Sequence, residues 1–199
     1  MGNRFGRPLY SIRECYWIIY NGFRSFGRLK KIKDSQNMSH QFMERIMLAV
    51  TEVNGCELCL YAHTKKALES GMSAEEIQKM LAGVIDDVPN KEVYGIIFGQ
   101  HYADTRAKPS LKAWNQINDG YGQELALGVL AVTRVIMLGN ALGIPWGSLR
   151  KRVKGKADSR SSLGYELAIL LSAVIMIPVG GIHAFVARLI GIPEMNIRE

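Results

Sequence analysis

Between Leu167 and Ala187 the chain reads LAILLSAVIMIPVGGIHAFVA, 21 residues in which His183 is the only titratable side chain. Such a run has few physical solutions: it crosses a bilayer, it lies in a helical core, or it closes an interface between copies. A second run, LALGVLAVTRVIMLGNALGI over 125–144, is similarly apolar but carries Arg134 at its middle. A central arginine costs about 2.5–3.5 kcal/mol on insertion scales. The cations also argue against a membrane hairpin, because 24–33 and 150–160 together hold eleven of the 25 Lys and Arg. With both runs spanning, the loop at 150–160 would sit on the cytoplasmic side and place the N-terminal half outside, although the cluster at 24–33 also belongs inside. Pro178 and Gly180-Gly181 further divide the last run. Core or oligomer-interface helices are therefore expected at 125–144 and 167–187, and membrane association is not favoured.

Composition narrows the class. With 199 residues, 48% hydrophobic and 22% charged, the chain is an ordinary globular one, long enough to bury a core without staples. The net charge of +7 is concentrated in the two short stretches, which read as solvated basic segments; an anionic surface or acidic partner is the alternative. No nucleic-acid module accompanies them, so no nucleic-acid partner is expected. The apolar run CYWIIY at 15–20 is too short for a signal-peptide core. Three cysteines, two of them three residues apart, point to thiol or metal chemistry in a reducing compartment, and a cytoplasmic location is expected.

Helical punctuation dominates and the fold class is all-α. An aromatic-rich helix is expected over 11–26. Ser39 caps a helix running to Asn54, with Gly55 as its stop. A third helix starts near Cys56 and ends at Gly71, and Ser73-Ala74-Glu75-Glu76 is a capping box opening a fourth through Gly83. Asn90 caps a fifth through about Arg106; Pro109 opens a short helix around Trp114, ended at Asn118-Asp119-Gly120; two long apolar helices follow, separated by a basic linker over 147–162. Three segments result: an aromatic and basic N-terminal segment over 1–35, a cysteine-bearing core over 36–107, and a helical C-terminal half over 108–199, an interface or a degenerate repeat. The repeat is suggested by Glu44 and His63, 19 apart, against Glu166 and His183, 17 apart, but the registers do not match.

The informative stretch is VNGCELCLYAHTKKALESGMSAEEI, residues 53–77. Cys56, Cys59 and His63 share one face of a helix by their i, i+3 and i+4 spacing. The first helical turn favours a thiolate at Cys56, and His63 is placed to exchange a proton with Cys59. Three readings compete: a redox dithiol, which the spacing favours; a metal site needing a further ligand from His40, His101, His183, Cys15 or a carboxylate; and two buried cysteines beside a structural histidine. On a helical wheel Glu44 lies opposite the stripe of Phe42, Ile46, Ala49 and Val53, so periodicity alone makes it a solvated glutamate beside Arg45.

Glu44, then Cys56 twelve residues on, then Cys59, then His63 four further along, resembles the signature of the carboxymuconolactone decarboxylase superfamily, specifically its alkyl hydroperoxidase D-like (AhpD-like) branch. The following SGMSAEEI, 70–77, resembles that family's turn into its next helix. The resemblance covers about 36–106 well and the remainder only as helical architecture. It implies a helical, usually oligomeric protein, a trimer or hexamer, with thiol-dependent peroxidase or disulfide-reductase activity and no cofactor beyond the dithiol. By position it makes Cys59 the peroxide-attacking thiolate and Cys56 the resolving thiol, with Glu44 and His63 as a proton relay. The implied partners are a hydroperoxide or disulfide substrate and a thiol reductant, a protein or a lipoyl-type donor. One departure stands out: members of the branch often carry a second His between the cysteines, where this chain has Leu58.

Two other functions compete. A decarboxylase-type enzyme on a lactone or carboxylate would act through His63 and Glu44 without using the thiols. A non-catalytic membrane-associated or assembly protein would be built on the apolar C-terminal half. Elsewhere, His101 and Cys15 read as structural, the three tryptophans read as core or interface anchors, and no Gly-rich phosphate loop follows a strand.

Overall fold

The computed structural model describes residues 7–195; the outermost parts of the first and last segments, 1–6 and 196–199, lie outside the described residues. Seven helices follow one another: α1 (Ile12–Asp34), α2 (His40–Asn54), α3 (Glu57–Glu69), α4 (Ala74–Leu81), α5 (Asn90–Asp104), α6 (Leu111–Arg152) and α7 (Leu163–Leu189). The protein is all-α, and no strand occurs among the described residues.

Local chemistry explains most boundaries. Ser11 and Glu14 form a reciprocal capping box at the start of α1. That helix runs past Phe26 to Asp34 because Leu29 and Ile32 continue its buried stripe. Ser39 accepts the Phe42 N–H, and Gly55 ends α2 in the left-handed conformation at φ 67°. At α4 the box is one-sided: Ser73 accepts the Glu76 N–H, but the Glu76 carboxylate takes a hydrogen bond from Arg45 instead of returning to the cap. Asn90 is the first helical residue of α5 rather than its cap; Pro89 precedes it without a side-chain bond.

The short helix around Trp114 and the apolar run at 125–144 join in α6, interrupted at Gly122 (φ 74°, ψ 160°) and not at 118–120. The helix continues to Arg152, so the basic stretch begins inside it and the connection to α7 shortens to 153–162.

One apolar core draws on residues from Tyr10 to Met176, with α6 at its centre against α1, α2 and α5. Gly95 and Gly99 let α5 lie close on α2: a Cβ at Gly95 would stand 2.6 Å from Phe42, and one at Gly99 would stand 3.1 Å from Val50. The two long apolar runs end up in different places. The most hydropathic stretch of α6 is 67% buried, and that of α7 only 28%. The inner side of α7 packs through Ala173, Gly180, Ala184 and Ala187, with Gly180 against Ile19 of α1. Its outer side exposes Leu171, Ile175, Ile182, Phe185 and Leu189.

Candidate functional site

The site is assembled at the turn between α2 and α3. Gly55 in its left-handed conformation reverses the chain so that Cys56 becomes the N-cap of α3, its Sγ accepting the Cys59 N–H at 3.3 Å. Cys56 and Cys59 are joined as a disulfide with their Cα atoms 5.3 Å apart. Both are buried. The turn is held from outside by Arg160, which donates to the Asn54 carbonyl at 3.2 Å and the Gly55 carbonyl at 3.1 Å. Asp158 in turn accepts from Arg160 at 2.6 Å. Part of the basic stretch at 150–160 is therefore structural, which corrects its reading as a solvated segment. Arg152 likewise donates to the buried Glu166 carboxylate at 2.7 Å.

His63 lies one turn beyond Cys59 on α3, and its Nδ1 is 2.7 Å from Glu44 Oε2. Glu44 is 3% exposed, which overturns its reading as a solvated glutamate. The wheel assigned α2 one buried face, whereas α3, α5 and α6 cover it on several sides. Arg45 is buried with it and is held by Glu76 of α4 and Glu92 of α5, each at 2.7 Å. The second Glu44 oxygen, Oε1, faces the exposed His40 at 3.7 Å.

Helix α6 closes the other side. A Cβ at Gly143 would lie 2.8 Å from Cys59 Sγ and 2.9 Å from Cys56 Sγ, so the α6 backbone rests directly on the disulfide. Three residues earlier on that face, Asn140 accepts from the Thr51 hydroxyl at 3.2 Å. Its Nδ2 is buried with no acceptor among the described residues. Beside the disulfide opens a cavity of about 380 Å³ lined by Leu58, Tyr61, Gly143 and Ile144, with Arg150 and Lys154 at its rim. Gly143, Asn140 and Arg160 carry no sequence signal of their own, since each acts on residues more than eighty positions away.

Glu44, Cys56, Cys59 and His63 thus occupy one site. Residues 24–89 match the sequence model described as the Carboxymuconolactone decarboxylase family. That segment is similar to the carboxymuconolactone decarboxylase superfamily. It takes in all four residues and a third of the chain, from within α1 to the end of the loop before α5. No curated protein and no solved structure matches the chain.

The remaining candidates lie outside this matched segment. Glu166 and His183 do not meet: the glutamate accepts from Ser148, Ser161 and Arg152, and His183 Nδ1 pairs with the Tyr16 hydroxyl at 2.9 Å. His101 Nε2 accepts the Ser110 N–H at the start of α6. Cys15 is fully buried, and burial pushes its thiol up to about 12. Among the described residues no three His, Cys, Asp or Glu side chains converge as a metal site requires.

Proposed function

We propose that the protein is a thiol-dependent peroxidase or dithiol–disulfide oxidoreductase of the AhpD-like type, with Cys59 as the attacking thiolate, Cys56 as the resolving thiol and Glu44–His63 as the proton relay. The observation that carries this reading is a hydrogen bond between buried Glu44 and half-buried His63, one helical turn from a cysteine pair at a helix start. The Glu44 carboxylate orients the His63 ring through Nδ1, which leaves its other nitrogen free to take the Cys59 proton. The helix start stabilises thiolates there.

The chemistry closes without a cofactor. The Cys59 thiolate attacks the terminal oxygen of a hydroperoxide, the O–O bond breaks, and the departing alkoxide takes the proton held by His63. Alcohol and a Cys59 sulfenic acid result. Cys56 then attacks Cys59 Sγ, the S–O bond breaks, and hydroxide leaves with the Cys56 proton as water, forming the disulfide. An external dithiol, a protein thiol or lipoyl-type donor, returns two electrons and two protons. Leu58 in place of a second histidine leaves the first thiol without its own base, so re-reduction is the slower half of the cycle. In this reading the protein works in the cytoplasm as a homo-oligomer.

Peptide mass spectrometry of the reduced protein after one equivalent of an organic hydroperoxide tests the reading. Cys56 and Cys59 become disulfide-linked within seconds while buried Cys15 stays reduced. Persistence of both thiols, or full turnover by Cys59→Ser, overturns it.

A further inference from the structure

We infer that the cavity beside the disulfide is a binding site for an apolar molecule ending in a carboxylate, and that in the peroxidase reading, on which this substrate class rests, the substrate is an acyl-chain hydroperoxide with a free carboxylate. Three observations converge on it. The cavity lies one residue's thickness from the sulfurs, because Gly143 belongs to its wall and also rests on both of them, and Leu58 of the same wall lies between the two cysteines in sequence. Its walls at Leu58, Tyr61 and Ile144 are apolar or aromatic. Leu58, which stands where members of the resembled branch often carry a second His, is one of these walls.

The third observation is the charge at the rim. Lys151 and Arg150 line the cavity with Lys154, against the carboxylates of Glu57 and Asp158. Glu57 is paired with Lys151, and Asp158 is held by Arg160. Arg150 and Lys154 remain without an ion pair among the described residues, both exposed at the mouth. Two uncommitted cations above an apolar wall fit one anionic head on an apolar body, which lies along Leu58 and Tyr61 with its peroxide toward Cys59. A neutral chain of the same length gains the wall contacts but loses the charge-assisted bonds.

Calorimetric titration of the oxidised protein with decanoate and with decanol tests the site without any turnover. Decanoate binds about tenfold more tightly than decanol, and the double variant Arg150→Ala/Lys154→Ala binds the two alike. Equal binding by the wild type, or an undiminished preference in the double variant, overturns the site. In parallel, the kcat/KM ratio for a long-chain fatty-acid hydroperoxide over its methyl ester drops toward one in the double variant. A ratio the variant leaves intact overturns the substrate assignment. Decanoate discrimination without turnover of any hydroperoxide supports the site and removes the peroxidase reading instead.

Discussion

Glu44 and His63 come from different helices, and the buried carboxylate of one meets the half-buried imidazole of the other at 2.7 Å. Glu44→Gln keeps an acceptor for the His63 N–H but removes the carboxylate charge from the relay. Alkylation of reduced Cys59 by iodoacetamide at neutral pH is expected to slow about a hundredfold, a general-base effect, with little change in melting temperature. An unchanged alkylation rate across the pH range takes Glu44 out of the relay.

Arg45 is the buried tie between three helices, donating to Glu76 and Glu92 from α2. Arg45→Leu leaves Glu92, itself buried, without its counter-charge. Removing one partner of a buried pair costs about 3–5 kcal/mol. Urea denaturation should register that loss, and Arg45→Leu/Glu92→Leu should recover much of it. A single variant as stable as the wild type would show that water or a rearranged Glu92 takes up the charge.

Gly143 is the contact between α6 and the disulfide. Gly143→Ala places a methyl group less than 3 Å from two sulfurs that neither rotate nor retreat. Overpacking of this kind costs about 1–3 kcal/mol. The oxidised variant is expected to unfold at lower urea concentration than the wild type, whereas Gly155→Ala, with open space around its Cβ, tests only the left-handed backbone. Matching midpoints for Gly143→Ala and wild type would contradict the contact.

Two carboxylates contribute to the acid limb of stability. Hydrogen bonds from Arg152 hold Glu166 at about 2, and those from Arg106 hold Glu14 at about 2, against an ordinary value of 4.5. A carboxyl depressed in the folded state is protonated first in the unfolded chain, so its contribution is complete above about pH 4.5 and disappears by about pH 2. Melting temperature is therefore expected to fall through that window, and Glu14→Gln/Glu166→Gln to start lower at neutral pH with a flatter acid limb. Parallel limbs would place the acid sensitivity elsewhere.

The helices were legible where their ends are written in local chemistry. Ser39 and Gly55 bound α2 as their side-chain oxygen and missing Cβ require. The burial of Glu44 and Arg45 was not legible, because a helical wheel sees one helix and their partners are 19 to 47 residues away in sequence. The join at α6 escaped for a related reason: Asn118, Asp119 and Gly120 are turn formers in isolation, but packing of the flanking residues carries the helix on to Gly122. The family resemblance located the four site residues together; the α6 contacts with them come from a region that the resemblance does not reach.

The outer side of α7 has a thermodynamic corollary. Leu171, Ile175, Pro178, Ile182, Phe185 and Leu189 follow one another at steps of four and three with no charge among them. Anything that shields this stripe, whether another chain or an amphiphile, binds the folded helix and not the unfolded polypeptide, and so adds to the apparent stability by mass action. The melting temperature is then a function of protein and amphiphile concentration, and a dilution series measures the grip of whatever shields α7.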